Sequence, residues 1–369
     1  MEEVKSERKD EKLKKDLGVP QGEKIRWYNP KESPFQLSGF AWFQQEKLYR
    51  RLPKELMVGF PKRVNELANC TSGGQIRFKT NSKKLKVKVK LSGKASMGHM
   101  PATGQCGFDI YIGAPGKQQY MKTAIPSLNE NVYESALMDS TGTFSEMREI
   151  TMNFPLYQGV EEVLIGLEHG SSVGVPTPYL SDKKILLYGT SITQGACASR
   201  PGMSYTNILS RRFQLEFINL GFSGSGKGEK EVALTIREIE KPACLVIDYE
   251  ANVTAKQYEA TLVPFIELYR EYHPLVPIIV MSRIPYTSDM NSLKNEEFMK
   301  RRDHSQFTVA EFQRSGDQRI TFIDGLRLLG EKWHECTVEG VHPNDFGFMK
   351  MADGIEGVLR SSLNLNGKF

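Results

Sequence analysis

Residues 183–195, KKILLYGTSITQG, decide the fold. An apolar run of strand length passes directly into a Gly-Thr-Ser turn and on to Gly195, which reads as strand, tight turn, helix. The run lacks polar alternation, so the strand is buried on both faces, as in a parallel sheet. Four more runs of this kind follow at 215–222 (LEFINLGF), 243–251 (ACLVIDYEA), 277–284 (PIIVMSRI) and 320–325 (ITFIDG). Helical patterns are predicted near 203–213, 228–240, 255–272, 293–315 and 345–361. Alternation of this sort is the signature of β-α-β units, so the second half is a three-layer α/β/α domain of five parallel strands in the flavodoxin manner. Ligands of such sheets sit beyond the carboxyl ends of the strands, and function is sought there.

Upstream the period changes. Segments 76–80 (IRFKT), 84–93 (KLKVKVKLSG), 107–113 (GFDIYIG), 146–154 (EMREITMNF) and 161–170 (EEVLIGLEHG) are short, rich in β-branched and aromatic residues, and separated by turn formers. They predict an antiparallel β-sandwich, jelly-roll-like, over 23–178, preceded by a charged tail over 1–22 that is frayed or loosely helical. Residues 171–182 (SSVGVPTPYLSD) read as the linker or crossing strand into the second domain at 179–369. In 84–91, Leu85, Val87, Val89 and Leu91 face one way and four lysines the other. Those lysines read as a solvated face that deters edge pairing, in preference to a patch for an anionic polymer.

The 369 residues suffice for two cores, and 39% hydrophobic with 25% charged residues is ordinary for a globular chain. Lys plus Arg is 49 against 44 for Asp plus Glu, a net +5 spread along the chain, so nucleic acid is not an expected partner. No apolar run reaches 18 residues, so no membrane association is expected, and the first twenty positions are too charged for a leader. Five scattered cysteines without a C-x-x-C fit reduced thiols and a cytoplasmic location.

Residues able to work together stand at the strand ends. Ser191 occupies the strand-to-helix turn, where it is either an N-cap or an exposed hydroxyl near free N–H groups. Gly224, in NLGFSGSGKG, can turn its N–H toward an oxyanion, and Asn252, in DYEANV, is either a turn former or a second donor. In TVEGVHPNDFGF, Glu339 precedes His342 by three residues, within reach of Nδ1, leaving Nε2 as a base. No histidine sits in H-E-x-x-H or another metal-ligand spacing, so neither metal nor cofactor is expected. A rival reading takes 221–227, GFSGSGK, as a phosphate-binding P-loop with LVIDYE as its acidic strand, although Gly228 stands where a Mg²⁺-binding hydroxyl belongs.

GTSITQG, the glycine of FSG, the asparagine of YEAN and the histidine of EGVHPN come in the order and approximate spacing of the four blocks of the SGNH hydrolases, the GDSL-like esterases and lipases. GFDIY resembles the G-x-D-L-Y signature of the β-sandwich preceding one branch of that superfamily. ASRPGMSYTNILSRR and HMP are similar to the same branch. The resemblance implies Ser191 as nucleophile, the N–H groups of Ser191 and Gly224 with the Asn252 amide as oxyanion donors, and His342 as base. Thr190 replaces the usual aspartate before the nucleophile. Glu339 replaces the usual aspartate before the histidine, so either Glu339 orients His342 or a backbone carbonyl does. The sandwich is expected to shape the substrate pocket, with His99 and Arg200 as substrate-binding candidates, Arg200 being either that or a surface arginine paired with a nearby acid, and Asp109 and Tyr111 as structural residues. The expected function is a serine esterase for short acyl esters, O-acetyl groups on a carbohydrate by resemblance. The alternatives are a P-loop-like nucleotide-binding protein and an inactive carbohydrate-binding protein.

Overall fold

The computed structural model describes residues 25–54, 59–140, 146–291 and 296–365; the expected tail over 1–22 and the first residues of the helix predicted at 293–315 lie outside them. The first half contributes β1 (Ile25–Tyr28), β2 (Gln36–Ser38), β3 (Gln75–Thr80), β4 (Lys84–Leu91), β5 (Asp109–Ile112), β6 (Gln119–Thr123), β7 (Val132–Asp139), β8 (Arg148–Asn153), β9 (Val160–Glu168) and β10 (Val173–Gly174). They form two antiparallel sheets, ordered β1-β9-β4-β7 and β10-β3-β8-β5-β6, with β2 also on β3. Leu85, Val87, Val89 and Ile165 of the first meet Phe78, Ile110, Ile150 and Met152 of the second in one core, so the sequence pattern of β4 does place its apolar face inward. Its lysines lie outward against acids on neighbouring strands, Lys88 with Glu134 at 3.4 Å and Lys90 with Glu161 at 2.8 Å, which is a solvated face with cross-strand pairs.

The second half forms a parallel sheet of β11 (Lys184–Gly189), β12 (Glu216–Gly221), β13 (Pro242–Asp248), β14 (Ile278–Met281) and β15 (Ile320–Ile323), ordered β12-β11-β13-β14-β15. The helices that concern the site and core are α1 (Ser191–Gln194), α2 (Tyr205–Phe213), α3 (Lys230–Ile236), α4 (Ala255–Arg270), α5 (Glu296–Arg314) and α6 (Asp345–Ser362). Side chains along β11 alternate between two cores. Ile185 and Leu187 pack with Ile208 and Leu209 of α2 and Met351 and Ile355 of α6. Leu186 and Tyr188 pack with Val232 of α3, Phe265 and Ile266 of α4 and Val309 of α5. Burial on both faces is what the unbroken apolar run required.

The two halves interlock. Arg51, fully buried, donates to the carbonyls of Leu67, Cys70 and Gly221 at 2.7, 2.7 and 2.5 Å, joining the first half to the end of β12. Burial holds its guanidinium below the usual value, at about 10. The 171–182 connection is strapped down: Val173 and Gly174 pair with β3, Thr177 N–H donates to Glu149, and the Tyr179 hydroxyl donates to Gln75 at 2.9 Å. Among the described residues, no helix is long and apolar enough to cross a membrane.

Candidate active site

Ser191 is the first residue of α1, and the block around it is self-bracing. Thr190 caps the helix by accepting from the Ile192 N–H, while the Thr193 hydroxyl accepts from the Thr190 N–H at 3.1 Å and donates to Asp248 Oδ2 at 2.7 Å. Asp248 also accepts from the Tyr205 hydroxyl at 3.0 Å, and burial raises its carboxyl to about 7. The acidic strand end that the nucleotide-binding reading assigned to Mg²⁺ is thus enclosed by two hydroxyls that fix the serine turn. Gly195, at φ +101°, ends the helix in a conformation that a side chain resists.

His342 arrives on a clamped loop. Thr337 bridges Pro343, Val338 N–H donates to the His342 carbonyl, and Gly340 makes the turn at φ +92°. Asn344 then caps α6, accepting from the Gly347 N–H at 2.9 Å. In this position His342 Nε2 lies 2.9 Å from Ser191 Oγ, and Nδ1 makes a short bond to Glu339 Oε1, which also accepts the His342 backbone N–H at 3.2 Å. A carboxylate accepts only, so Nδ1 carries the proton and Nε2 presents a lone pair to the serine hydroxyl. Glu339 therefore bridges the extra methylene, and no backbone carbonyl holds Nδ1 among the described residues.

The GFSGSGK loop directs most of its N–H groups into the protein. Ser223 donates to Gln194 Oε1 at 3.0 Å, Ser225 and Gly226 to the Phe222 carbonyl, Lys227 to Glu229, and Gly228 to the Tyr188 hydroxyl at 2.7 Å. A phosphate cradle needs converging free N–H groups, and this loop does not supply them. Gly224 is the exception: its N–H has no partner among the described residues, its φ is +65°, and nothing lies within 4 Å of where a Cβ would be. The Ser191 N–H, at a helix start, is likewise free of protein acceptors among these residues. Asn252 reaches the same loop, but its amide donates to the carbonyls of Phe222 at 3.3 Å and Gly226 at 3.1 Å.

The two substrate-binding candidates part company. The exposed His99 comes to the site, its ring centroid 5.8 Å from that of His342. Arg200 does not: it pairs with the fully buried Asp109 at 2.9 Å, donates to the Tyr111 hydroxyl and stacks on Tyr120 at 3.8 Å. Of the two readings of Arg200 the geometry matches the pairing with an acid, and its donors tie the GFDIY strand to the serine domain, where Asp109 also accepts from the Gly202 N–H at 2.8 Å. Asp109 and Tyr111 are structural here, as expected.

Three residues at the site carried no decisive sequence signal. Gln194 accepts from Ser223 and donates to the Leu156 carbonyl, and Tyr157 donates from its hydroxyl to the Ser191 carbonyl at 3.1 Å. Cys197 lies beside Glu339, with Sγ 3.9 Å from Oε2, and burial followed by the Glu339 charge pushes its thiol up to about 12. A buried glutamine inside GTSITQG was the one available hint.

A flavodoxin-ordered sheet carrying serine, histidine and glutamate in hydrogen-bonded series at its carboxyl edge defines an esterase of the serine hydrolase class. The chain belongs to the GDSL-like lipase/acylhydrolase family, whose model matches residues 182–360, and residues 25–173 match the GxDLY N-terminus of SGNH-hydrolase-type esterases. A structure designated a GDSL-like lipase from Bacteroides ovatus is 31% identical, with a TM-score of 0.85 over 92% of this chain and 98% of that one. A salicylyl-acyltransferase from a tetracycline biosynthetic pathway shares the fold at 20% identity and TM-score 0.75, covering 93% and 98%. So does an acetyl xylan esterase from Butyrivibrio proteoclasticus, at 12% identity and TM-score 0.57, covering 92% and 99%. Among curated proteins none matches this chain.

Proposed function

We propose that this esterase removes short acyl groups, O-acetyl groups on a carbohydrate, through an acyl-enzyme on Ser191. The carrying observation is the continuous series Ser191 Oγ, His342 Nε2, His342 Nδ1 and Glu339 Oε1 beside two N–H groups that have no acceptor among the described residues. His342 takes the Ser191 proton as Oγ attacks the ester carbon, and the N–H groups of Ser191 and Gly224 receive the oxyanion. The Asn252 amide joins them by exchanging one of its carbonyl partners. Protonated His342 gives its proton to the leaving alcohol; water then attacks the acyl carbon while losing a proton to the same nitrogen, and that proton passes to Ser191 Oγ as the acyl–oxygen bond breaks and the acid leaves.

Two features support a carbohydrate as the alcohol. A cavity of about 520 Å³ opens beside the oxyanion loop, with a mixed lining of Arg63, Glu66 and Gln158 alongside Leu67, Met97 and Tyr157 among others. Its polar groups can hold hydroxyls and its apolar ones the face of a sugar ring, and an acetyl group alone needs far less room. The acetyl xylan esterase of shared fold acts on a ligand of that class by its name.

The test is hydrolysis of p-nitrophenyl acetate, butyrate and octanoate, then of acetylated xylo-oligosaccharides, by the wild type and Ser191→Ala. Preference for acetate with loss of all activity in the variant is expected. Equal acetate hydrolysis by the two proteins sinks the proposal.

A further inference from the structure

We infer that His99, Cys197 and His342 form a binding site for a soft divalent cation, zinc foremost, and that filling it disconnects His342 from its partners. Its effect on turnover rests on the esterase reading above; the site itself rests on geometry. One ligand atom from each of the three residues lies within 4.8 Å of the other two. Around a tetrahedral zinc with bonds of about 2.0–2.3 Å, such atoms are roughly 3.3–3.7 Å apart, so the set closes with a movement of about 1 Å. His99 has the freedom to supply it, because its side chain is exposed on the loop between β4 and β5. The other two are fixed: Cys197 follows α1 and is buried, and His342 is held by the clamped loop.

The donor set selects the metal. Two imidazoles and a thiolate suit zinc or cadmium and disfavour magnesium or calcium, which require oxygen ligands. Three protein ligands leave a fourth position for water. On coordination the Cys197 thiol proton passes to solvent and the sulfur lone pair binds the metal. Whichever nitrogen of His342 the metal takes, the series is broken: Nε2 is the atom that receives the Ser191 proton, and Nδ1 is the atom Glu339 holds. Zinc is therefore an inhibitor of this site, in contrast to its role in metallohydrolases. The sequence hid the cluster because its members are separated by 98 and 145 positions (197 − 99 and 342 − 197) and come from both domains.

Calorimetric titration of ZnCl₂ into the wild type, Cys197→Ser and His99→Gln tests the site without requiring turnover. In parallel, p-nitrophenyl acetate hydrolysis of each protein is followed against zinc and normalised to its own zinc-free rate. Zinc is expected to bind the wild type, to slow it reversibly with EDTA, and to bind each variant at least roughly tenfold more weakly, while magnesium does none of this. No heat with the wild type, or either variant binding zinc as tightly as the wild type, overturns the inference. If Cys197→Ser loses its native circular dichroism, His99→Gln decides alone. Zinc binding through these residues in a chain that hydrolyses no ester contradicts the proposed function and leaves the metal site standing.

Discussion

Glu339 shows how one side chain turns a loop into an apparatus. Its Oε1 accepts both from His342 Nδ1 and from the His342 backbone N–H, so a single carboxylate oxygen sets the ring's tautomer and its orientation. Glu339→Gln keeps the shape but removes the charge that, in the proposed mechanism, stabilises the imidazolium formed when Ser191 attacks. The expected result is a fall in kcat of roughly 10² to 10⁴ with KM little changed, measured on p-nitrophenyl acetate. A kcat equal to the wild type's would mean that the serine and histidine work as a dyad. At this scale the sequence was informative, since three-residue spacing in a loop containing Gly340 and Pro343 already put a carboxylate within reach of an imidazole. Arg200 was left open between substrate and a nearby acid. Its guanidinium stands soon after the serine in sequence but faces Asp109, and a spacing along the chain carries no record of a partner 91 positions away.

At the scale of the element, α1 is only four residues long and owes its position to bonds from other elements. The Thr193 hydroxyl is the link, joining the Thr190 N–H to Asp248 at the end of β13. Burial raises the Asp248 carboxyl from 3.8 to about 7. A carboxyl whose folded value is raised is neutral in the fold where the unfolded chain already ionises, so its contribution to stability falls as pH rises from about 4 to about 7 and is level above that. Asp248→Asn removes this titration. The wild type's melting temperature relative to that variant is therefore expected to decline across the same interval, and a pH-independent difference would show that the carboxyl is not raised. The five parallel strands were legible because burial on both faces writes an unbroken apolar run. Strands β6 and β7 were not, because β6 is largely exposed and β7 alternates only imperfectly. The 221–227 loop was half legible: GFSGSGK has the form of a phosphate cradle except at Gly228, and the inward direction of its N–H groups then argues against that reading.

For the whole molecule, the question is whether the sandwich and the α/β half unfold as one. They share more than a linker. Val64 and Leu67, from the connection between β2 and β3, lie in the same apolar core as Leu186 and Phe265, and Arg51 holds three backbone carbonyls from both halves. On the opposite side Asp109, fully buried, accepts from Arg200 and from the Gly202 N–H, and Asn153 donates to its other oxygen at 2.8 Å. Removing one member of a buried pair leaves the other unpaired and costs about 3 kcal/mol or more. If the halves were independent, Asp109→Ala would lower one transition and leave the other in place. Because the interface donors and acceptors are buried in both halves, calorimetry is expected to record a single transition for the wild type and a single one, several degrees lower, for the variant. Catalysis should fall with it well below the melting temperature, since the strand that holds Asp109 also fixes the ASRPG segment just beyond α1. Two resolved transitions in the wild type would show that the shared core is weaker than this packing implies.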